Sequence, residues 1–316
     1  MGSFLFKRLA LASLTLLLVS VIVFGGCQLL PGNVGRNVLG GFASQQSVDR
    51  LNHQLGVDRP IWSQYASWIA DLARGDLGTS LEYRVPIGPL LRTSLLNSLE
   101  LAGVAFLLVV PLGILGGVVA ALRHGRFADQ AITATSVGLM AVPEFVAAIV
   151  LIVVFGLALK VLPVTAEAPA GAGFLTHLKY LLLPSLALVT VMFGYIARMA
   201  RAGTIRALEA DYTRTAILNG LSTPTVILRH VLRNSLLPTI SVIGTQIGPL
   251  IGGLVVVERL FNYDGIGQRI YTAAQNKDFP MLQASALAVA VVYLSASLVA
   301  DILHSLLDPQ IRASAS

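Results

Sequence analysis

Chemistry in a protein needs ionisable or nucleophilic side chains gathered in one place, and this sequence offers few candidates. Glu144, next to Pro143, is the only charged residue deep inside a long apolar run. A carboxylate there costs roughly 2.5–3.5 kcal/mol on insertion scales, so it is expected to face protein or water. It could contact a substrate amine, pair with a basic group, or carry a proton. The 5 histidines (His53, His124, His177, His230 and His304) are scattered without metal-ligand spacing, and there is no H-E-x-x-H. Cys27 is the single cysteine, which excludes an intrachain disulfide. None of the lysines, Lys7, Lys160, Lys179 and Lys277, follows a glycine, so there is no G-K-[ST] phosphate loop. No catalytic, cofactor-binding or metal-binding constellation is read from the chain.

What must position these residues is set by composition. Of 316 residues, 55% are hydrophobic and 12% charged, with a mean hydropathy of +0.77. Ordinary soluble domains carry about 25% charged residues. The chain is therefore read as an integral membrane protein. Its net charge of +6 is spread along the chain at the ends of apolar spans, a pattern of topology and not of a nucleic-acid face.

Six stretches reach the length of about 20 apolar residues that a bilayer core needs. They are Leu9–Leu30, Leu101–Leu122, Ala131–Leu159, Tyr180–Ala197, Leu236–Val257 and Met281–Ala300. Continuous apolar runs exclude a closed barrel, whose strands alternate. The expected fold class is all-α, with six transmembrane helices. Lys7 and Arg8 precede the first span, and Arg123, His124 and Arg126 crowd the loop after the second. Arg198, Arg201, Arg206, Arg214, Arg229 and Arg233 lie between spans four and five, and Arg312 follows span six. Both termini are thus placed inside. The first span resembles a cleaved lipoprotein signal only weakly, since Phe24 stands where leucine is usual before Gly25-Gly26-Cys27, and the run is long enough to span.

The expected organisation is one membrane domain over 1–316. Residues 1–8 lie inside, 9–30, 94–122, 130–159, 178–200, 236–258 and 281–303 span, and 31–93 and 259–280 lie outside. Residues 201–235 form an inside loop and 304–316 an inside tail. In the outer segment, Gln45–Leu55 and Ile61–Ala73 read as short amphipathic helices, with Trp62, Tyr65 and Trp68 suited to the interface. They form either a cap on the membrane surface or a docking surface for an external partner. In the inner loop a helical pattern runs from about Thr204 to Leu218 and stops at Asn219-Gly220. Thr223 is placed as the cap and Pro224 as the first residue of a second helix. A basic helix–bend–helix element is either a docking element or a solvated hairpin. Gly244, Gly248 and Gly252, at a spacing of four, form one smooth face for close helix packing, either within the chain or against a partner or pore. Gly113 and Gly117 admit the same two readings.

Several motifs in order resemble one family. Asp211-Tyr212-Thr213-Arg214-Thr215-Ala216, then Gly220-Leu221-Ser222, then Arg233-Asn234-Ser235-Leu236-Leu237-Pro238 is similar to the cytoplasmic loop of ABC importer permeases. Leu55-Gly56-Val57-Asp58-Arg59-Pro60, Gly75-Asp76-Leu77-Gly78-Thr79-Ser80, Val255-Val256-Val257-Glu258 with Phe261 and Gly265-Ile266-Gly267, and Asp308-Pro309-Gln310-Ile311-Arg312 resemble the dipeptide/oligopeptide/nickel group. Within that group they match the subunit with a large external segment after its first span. Arg214, Thr215 and Ala216 stand where the general loop has Glu-Ala-Ala, and Arg233 replaces the consensus proline. ATPase contacts therefore do not carry over from sugar permeases.

The resemblance implies a type I ABC importer permease, not itself an enzyme, in the bacterial inner membrane. It implies a second related permease, two P-loop ATPases that bind ATP and Mg, and an external substrate-binding protein, with no cofactor on this chain. Asp211, Arg214, Thr215, Ala216, Gly220, Leu221 and Ser222 become the ATPase-coupling loop. Peptides are the expected substrates, with nickel, glutathione or oligosaccharides as alternatives. The readings from other classes are a stand-alone secondary transporter using Glu144, an intramembrane enzyme, and a structural or receptor membrane protein.

Overall fold

Helix is the only regular structure the described residues form, apart from a single antiparallel bridge between Thr79 and Pro86. The computed structural model describes residues 2–29, 34–40 and 42–307. The Asp308–Arg312 motif lies outside them, as do Leu30 at the end of the first expected span and most of the expected tail.

In chain order the helices are α1 (Gly2–Leu29), α2 (Val34–Leu39), α3 (Gln45–Leu55), α4 (Ile61–Ala73), α5 (Ile87–Leu122), α6 (Phe127–Ala141), α7 (Glu144–Leu151) and α8 (Phe174–Glu209). They continue as α9 (Asp211–Leu218), α10 (Thr223–Thr225), α11 (Leu232–Ser235), α12 (Leu237–Thr245), α13 (Ile247–Leu260), α14 (Ile266–Gln275) and α15 (Phe279–Leu307). Two π-helical segments, Ile152–Ala158 and Val226–Val231, extend α7 and α10.

Four of these helices carry stretches long and apolar enough to cross a membrane: Phe6–Leu29, Ile87–Leu122, Phe174–Glu209 and Phe279–Ile302. Two bent pairs raise the number to six if each is one span. In the first pair, Phe127–Ala141 and Glu144–Ala158 meet at 109°. The single run expected over 130–159 is therefore corrected to a sharply broken one. Its cause is Pro143, which cannot continue the helix and holds Val142 extended (φ −87°, ψ 121°). The second pair is Thr223–Ser235 with Leu237–Thr245, bent by 44°. The expected fifth span, 236–258, is likewise divided, with Gln246 as the joint between α12 and α13. Pro249 has no N–H for the carbonyl of Thr245, which ends α12 there.

The chain forms two compact units: Leu99–Tyr263 with the segment from Ser295, and Gly2–Ser98 with Asp264–Leu294. In the first unit, Leu101, Leu181, Leu183, Met192, Ile196, Val257 and Phe261 are buried in one apolar cluster. Helix α8 is its hub, and small residues set the spacing. A Cβ on Gly117 would stand 2.3 Å from the Ala197 carbonyl oxygen, and one on Gly194 2.5 Å from that of Ser136. One on Gly203 would stand 2.3 Å from the Ser235 carbonyl oxygen. A Cβ on Gly113 would instead meet the Ile196 side chain, 2.7 Å from its Cγ2. Gly113 and Gly117 thus pack within the chain.

In the second unit, α3 is capped by Ser44, which accepts from Ser47 N, and ends at left-handed Gly56 (φ 68°). Helix α4 lies along α1: Tyr65 meets the Phe24 ring edge-on, Trp68 packs tilted against it, and the Ser20 and Tyr65 hydroxyls are 2.8 Å apart. Trp62 differs from its two aromatic neighbours and stays exposed. Ile87, Leu91, Ile266 and Met281 form this unit's core.

Candidate functional site

The segment after α8 builds a projecting elbow. Helix α8 does not end before the inner loop but runs to Glu209. The expected helix from Thr204 to Leu218 is broken at Ala210, which is extended (φ −71°, ψ 147°). Asp211 opens α9 in the first turn, where its charge suits the helix dipole. The Thr213 hydroxyl donates to the Ala207 carbonyl at 2.6 Å and is buried, tying α9 back to α8.

At the other end, Gly220 adopts φ +77°. Its N–H donates to the Ile217 carbonyl, and the Leu221 N–H to that of Ala216. These are the two bonds of a Schellman stop. No atom lies within 4 Å of a Cβ built on Gly220, so glycine is needed there for backbone conformation and not for space. Ser222, and not Thr223, is the cap residue of the next helix, with Pro224 in its first turn.

The elbow has its own small core of Ala207, Ala216, Val226 and Val231. Ala216 therefore acts from inside the elbow. Asp211, Arg214, Thr215, Gly220, Leu221 and Ser222 are exposed. So are Ile217 (59%), Leu218 (79%) and Leu228 (68%), which leaves apolar side chains on a polar, basic projection.

Next to the elbow's root is a cluster that no motif announced. Asp129, on α6, is buried at 2% exposure. Arg201, on α8, donates to it from Nε at 2.5 Å and Nη2 at 2.8 Å. The Gly125 N–H donates at 2.9 Å and the Thr133 hydroxyl at 3.3 Å. His124 Nδ1 lies 3.1 Å from both the carboxylate and the guanidinium, and its tautomer decides which it serves. The cluster opens on a cleft of about 640 Å³ lined also by Gln130, Ala134 and Val137. The sequence marks Arg201 and His124 only as topology charges. The available signal was Asp129 itself, an acid in an otherwise basic loop.

Glu144 is the first residue of α7, just past the bend. It has no hydrogen bond or ion pair among the described residues. Its carboxyl group packs against Gly253, where a Cβ would come within 3.2 Å of it. The glycine face is not uniform. A Cβ on Gly244 would meet Ala300 at 3.1 Å, whereas one on Gly252 would meet nothing within 4 Å. Gly248 is half-buried, and the joint at Gln246 divides Gly244 from the other two. Gly253, beside the expected face, is the buried one.

The second unit carries a different arrangement. Residues 78–87 form a hairpin, with Ser80 N donating to the Val85 carbonyl and Ile87 N to that of Gly78. Asp278, buried at 1% exposure, clamps it: the Ser80 hydroxyl and Glu82 N–H both donate to this carboxylate. The Asn276 amide donates to Glu82 at 2.6 Å, and the Arg269 guanidinium lies 5.4 Å over the Tyr83 ring. A cavity of about 800 Å³ beside the hairpin is lined by Arg59, Trp68, Asp71, Asp76, Arg84 and Gln283, among others. Among the described residues no group of three or more His, Cys, Asp or Glu side chains could hold a metal ion.

Residues 113–313 match the family described as the binding-protein-dependent transport system inner membrane component, and residues 1–87 match its N-terminal membrane component. The chain is 32% identical over 312 residues to the probable peptide ABC transporter permease protein y4tP of Sinorhizobium fredii, covering 99% of this chain and 100% of that one. It is 33% identical to the glutathione transport system permease protein GsiC of Escherichia coli, over 99% of both chains. It is also 33% identical to the di/tripeptide transport system permease protein DppB of Pseudomonas aeruginosa, again over 99% of both. Among solved structures, a crystal structure of an amino acid ABC transporter with histidines matches with a TM-score of 0.48 and 18% identity, covering 69% of this chain and 92% of that one.

Proposed function

The chain belongs to the binding-protein-dependent transport system inner membrane component family, as a membrane-spanning permease subunit of an ABC importer, and from that premise we propose that it imports di- or oligopeptides and is driven through its 211–222 elbow. The topology proposed with it keeps both termini and the 201–235 loop inside, and 31–93 and 259–280 outside. A second, related permease completes the path. Two separate ATPases bind ATP and Mg, this chain catalyses nothing itself, and an external binding protein delivers substrate.

The observation that carries the reading is the elbow. Its bend is fixed by a Schellman stop at Gly220 and its inner face by a buried core. Its outer face leaves Ile217, Leu218 and Leu221 exposed. A rigid, apolar-tipped projection on a basic loop suits insertion into a cleft of a partner protein. Closure of the ATPases would move that projection, and α8, continuous with its root, would carry the movement into the spans.

Peptides are preferred over glutathione, nickel complexes and oligosaccharides because two of the relatives carry peptide names. Glutathione, itself a tripeptide, is the nearest alternative. Affinity purification of the chain from its native membrane in mild detergent should recover two P-loop ATPases, a second permease and a binding protein whose ligand is a peptide. A binding protein loaded with a sugar or metal complex would overturn the substrate. Gly220→Trp should leave membrane insertion intact and uncouple ATP hydrolysis from transport. Wild-type transport by that variant would remove the elbow from the mechanism.

A further inference from the structure

We propose that the Asp129–Arg201 ion pair is the positioning link that makes the bent third span follow the elbow. The inference rests on the reading of the 211–222 elbow as the element the ATPases move.

The geometry is a continuous run of contacts within one unit. The elbow is fastened to Ala207 by the Thr213 hydroxyl and by the core that Ala207 shares with Ala216, Val226 and Val231. From Ala207 to Arg201 is unbroken α8, roughly 9 Å of rise. Arg201 then grips Asp129 with two nitrogens, at 2.5 and 2.8 Å. Asp129 lies in the first turn of α6, which runs without interruption to Ala141 and the 109° bend. Beyond the bend, Glu144 begins α7.

Towards the bend, the contacts between α6 and α8 are of another kind. Gly194 lies against Ser136 and Met140, and Arg198 donates to Met140 Sδ at 3.9 Å, with no carboxylate among these contacts. A bidentate pair with one carboxylate does not slide. Its donors are fixed in a planar fork, and displacement leaves a buried charge unmatched. Gly125 N and Thr133 hold the carboxylate from the α6 side, so it stays with α6 when Arg201 pulls. The pair therefore fixes the register between α6 and α8 at the end of their contact nearest the elbow.

The test uses the assembled importer in proteoliposomes and reads substrate imported per ATP hydrolysed. Asp129→Asn should keep ATP hydrolysis and lower that ratio about fivefold. Exchanging the charges, Asp129→Arg with Arg201→Asp, should recover part of it. A merely structural role would lower the yield of complex and leave the ratio of the surviving complex unchanged, and that result overturns the proposal. If Asp129→Asn does not assemble, the same ratio is read in Asp129→Glu, which keeps the charge and displaces it by one methylene. There a reduced ratio supports the link and a wild-type ratio overturns it. Gly220→Trp separates the two readings. If it uncouples and the Asp129 variants do not, only the link fails. If it does not uncouple, the elbow reading fails, and the link fails with it.

Discussion

Asp129 and Asp278 are both buried carboxylates, one in each compact unit, and they are stabilised by different means. Asp129 is matched by a cation: Arg201 delivers two charge-assisted bonds from a helix 72 positions further along the chain. Asp278 has no ion pair among the described residues. It stands at the N-terminus of α15, where Met281 N donates to it, and it takes the Ser80 hydroxyl and Glu82 N–H from the hairpin. One helix-terminal N–H, one hairpin N–H and a hydroxyl replace the cation. The first arrangement ties two long helices together at one point. The second folds a short loop onto a helix end. The difference teaches what each can lose: without Arg201 the buried Asp129 charge keeps only the Gly125 N–H, the Thr133 hydroxyl and His124, whereas without Asp278 the clamp leaves only neutral donors behind.

The largest effect expected from that difference is at Arg201. Arg201→Ala abandons a carboxylate that is 4% exposed. Breaking such a pair costs about 3–5 kcal/mol. The thermal unfolding midpoint of the purified chain in detergent should fall accordingly. Arg201→Ala combined with Asp129→Ala should recover much of the loss, because no charge is then stranded. A double variant no more stable than the single one would show that Asp129 is not the group that suffers.

A smaller and more local effect is expected at Asp278. Asp278→Ala leaves the Ser80 hydroxyl and Glu82 N–H without their acceptor, at about 1–3 kcal/mol. The hairpin should loosen while the helices persist. Hydrogen exchange should therefore quicken at Ser80, Glu82 and Tyr83 and change little along α15. Asp278→Asn keeps one acceptor oxygen and should fall between. Uniform quickening over the whole unit would mean that the clamp supports more than the hairpin.

The same two residues mark how far the sequence could be read. The spans, the elbow and the stop at Gly220 were legible, because apolar length and glycine chemistry are local properties. The two short helices over 45–55 and 61–73 were legible too, through their amphipathic pattern. The sharp bend at Pro143 was not. Prolines at 111 and 184 sit inside unbroken helices, so proline alone does not say whether a run breaks. The break at Ala210 left no mark except Asp211, since alanine favours helix on both sides. Asp129 with Arg201, and Asp278 with Ser80, join residues 72 and 198 positions apart, and no spacing rule connects them. The glycine reading shows the limit within one expected span. A spacing of four found Gly244, but the residue buried against Leu188 and Glu144 is Gly253, one position off the face.

Glu144 extends the comparison to a third carboxylate, half-buried and with neither a cation nor a donor among the described residues. It has only packing, against Gly253. Glu144→Gln therefore breaks no pair and strands no donor, and it should change folding stability by less than about 0.5 kcal/mol. That makes it the smallest effect of the three and the cleanest probe of function, because assembly is not at stake. A thermal midpoint that drops by as much as in Asp278→Ala would mean that Glu144 has a partner in the folded chain, and the contrast with Asp129 would collapse. With an unchanged midpoint, transport becomes readable on its own. Retained transport then removes any required charge at the bend. Lost transport with ATP hydrolysis preserved would place that charge on the substrate's path, where a peptide's amino terminus is the group it would meet.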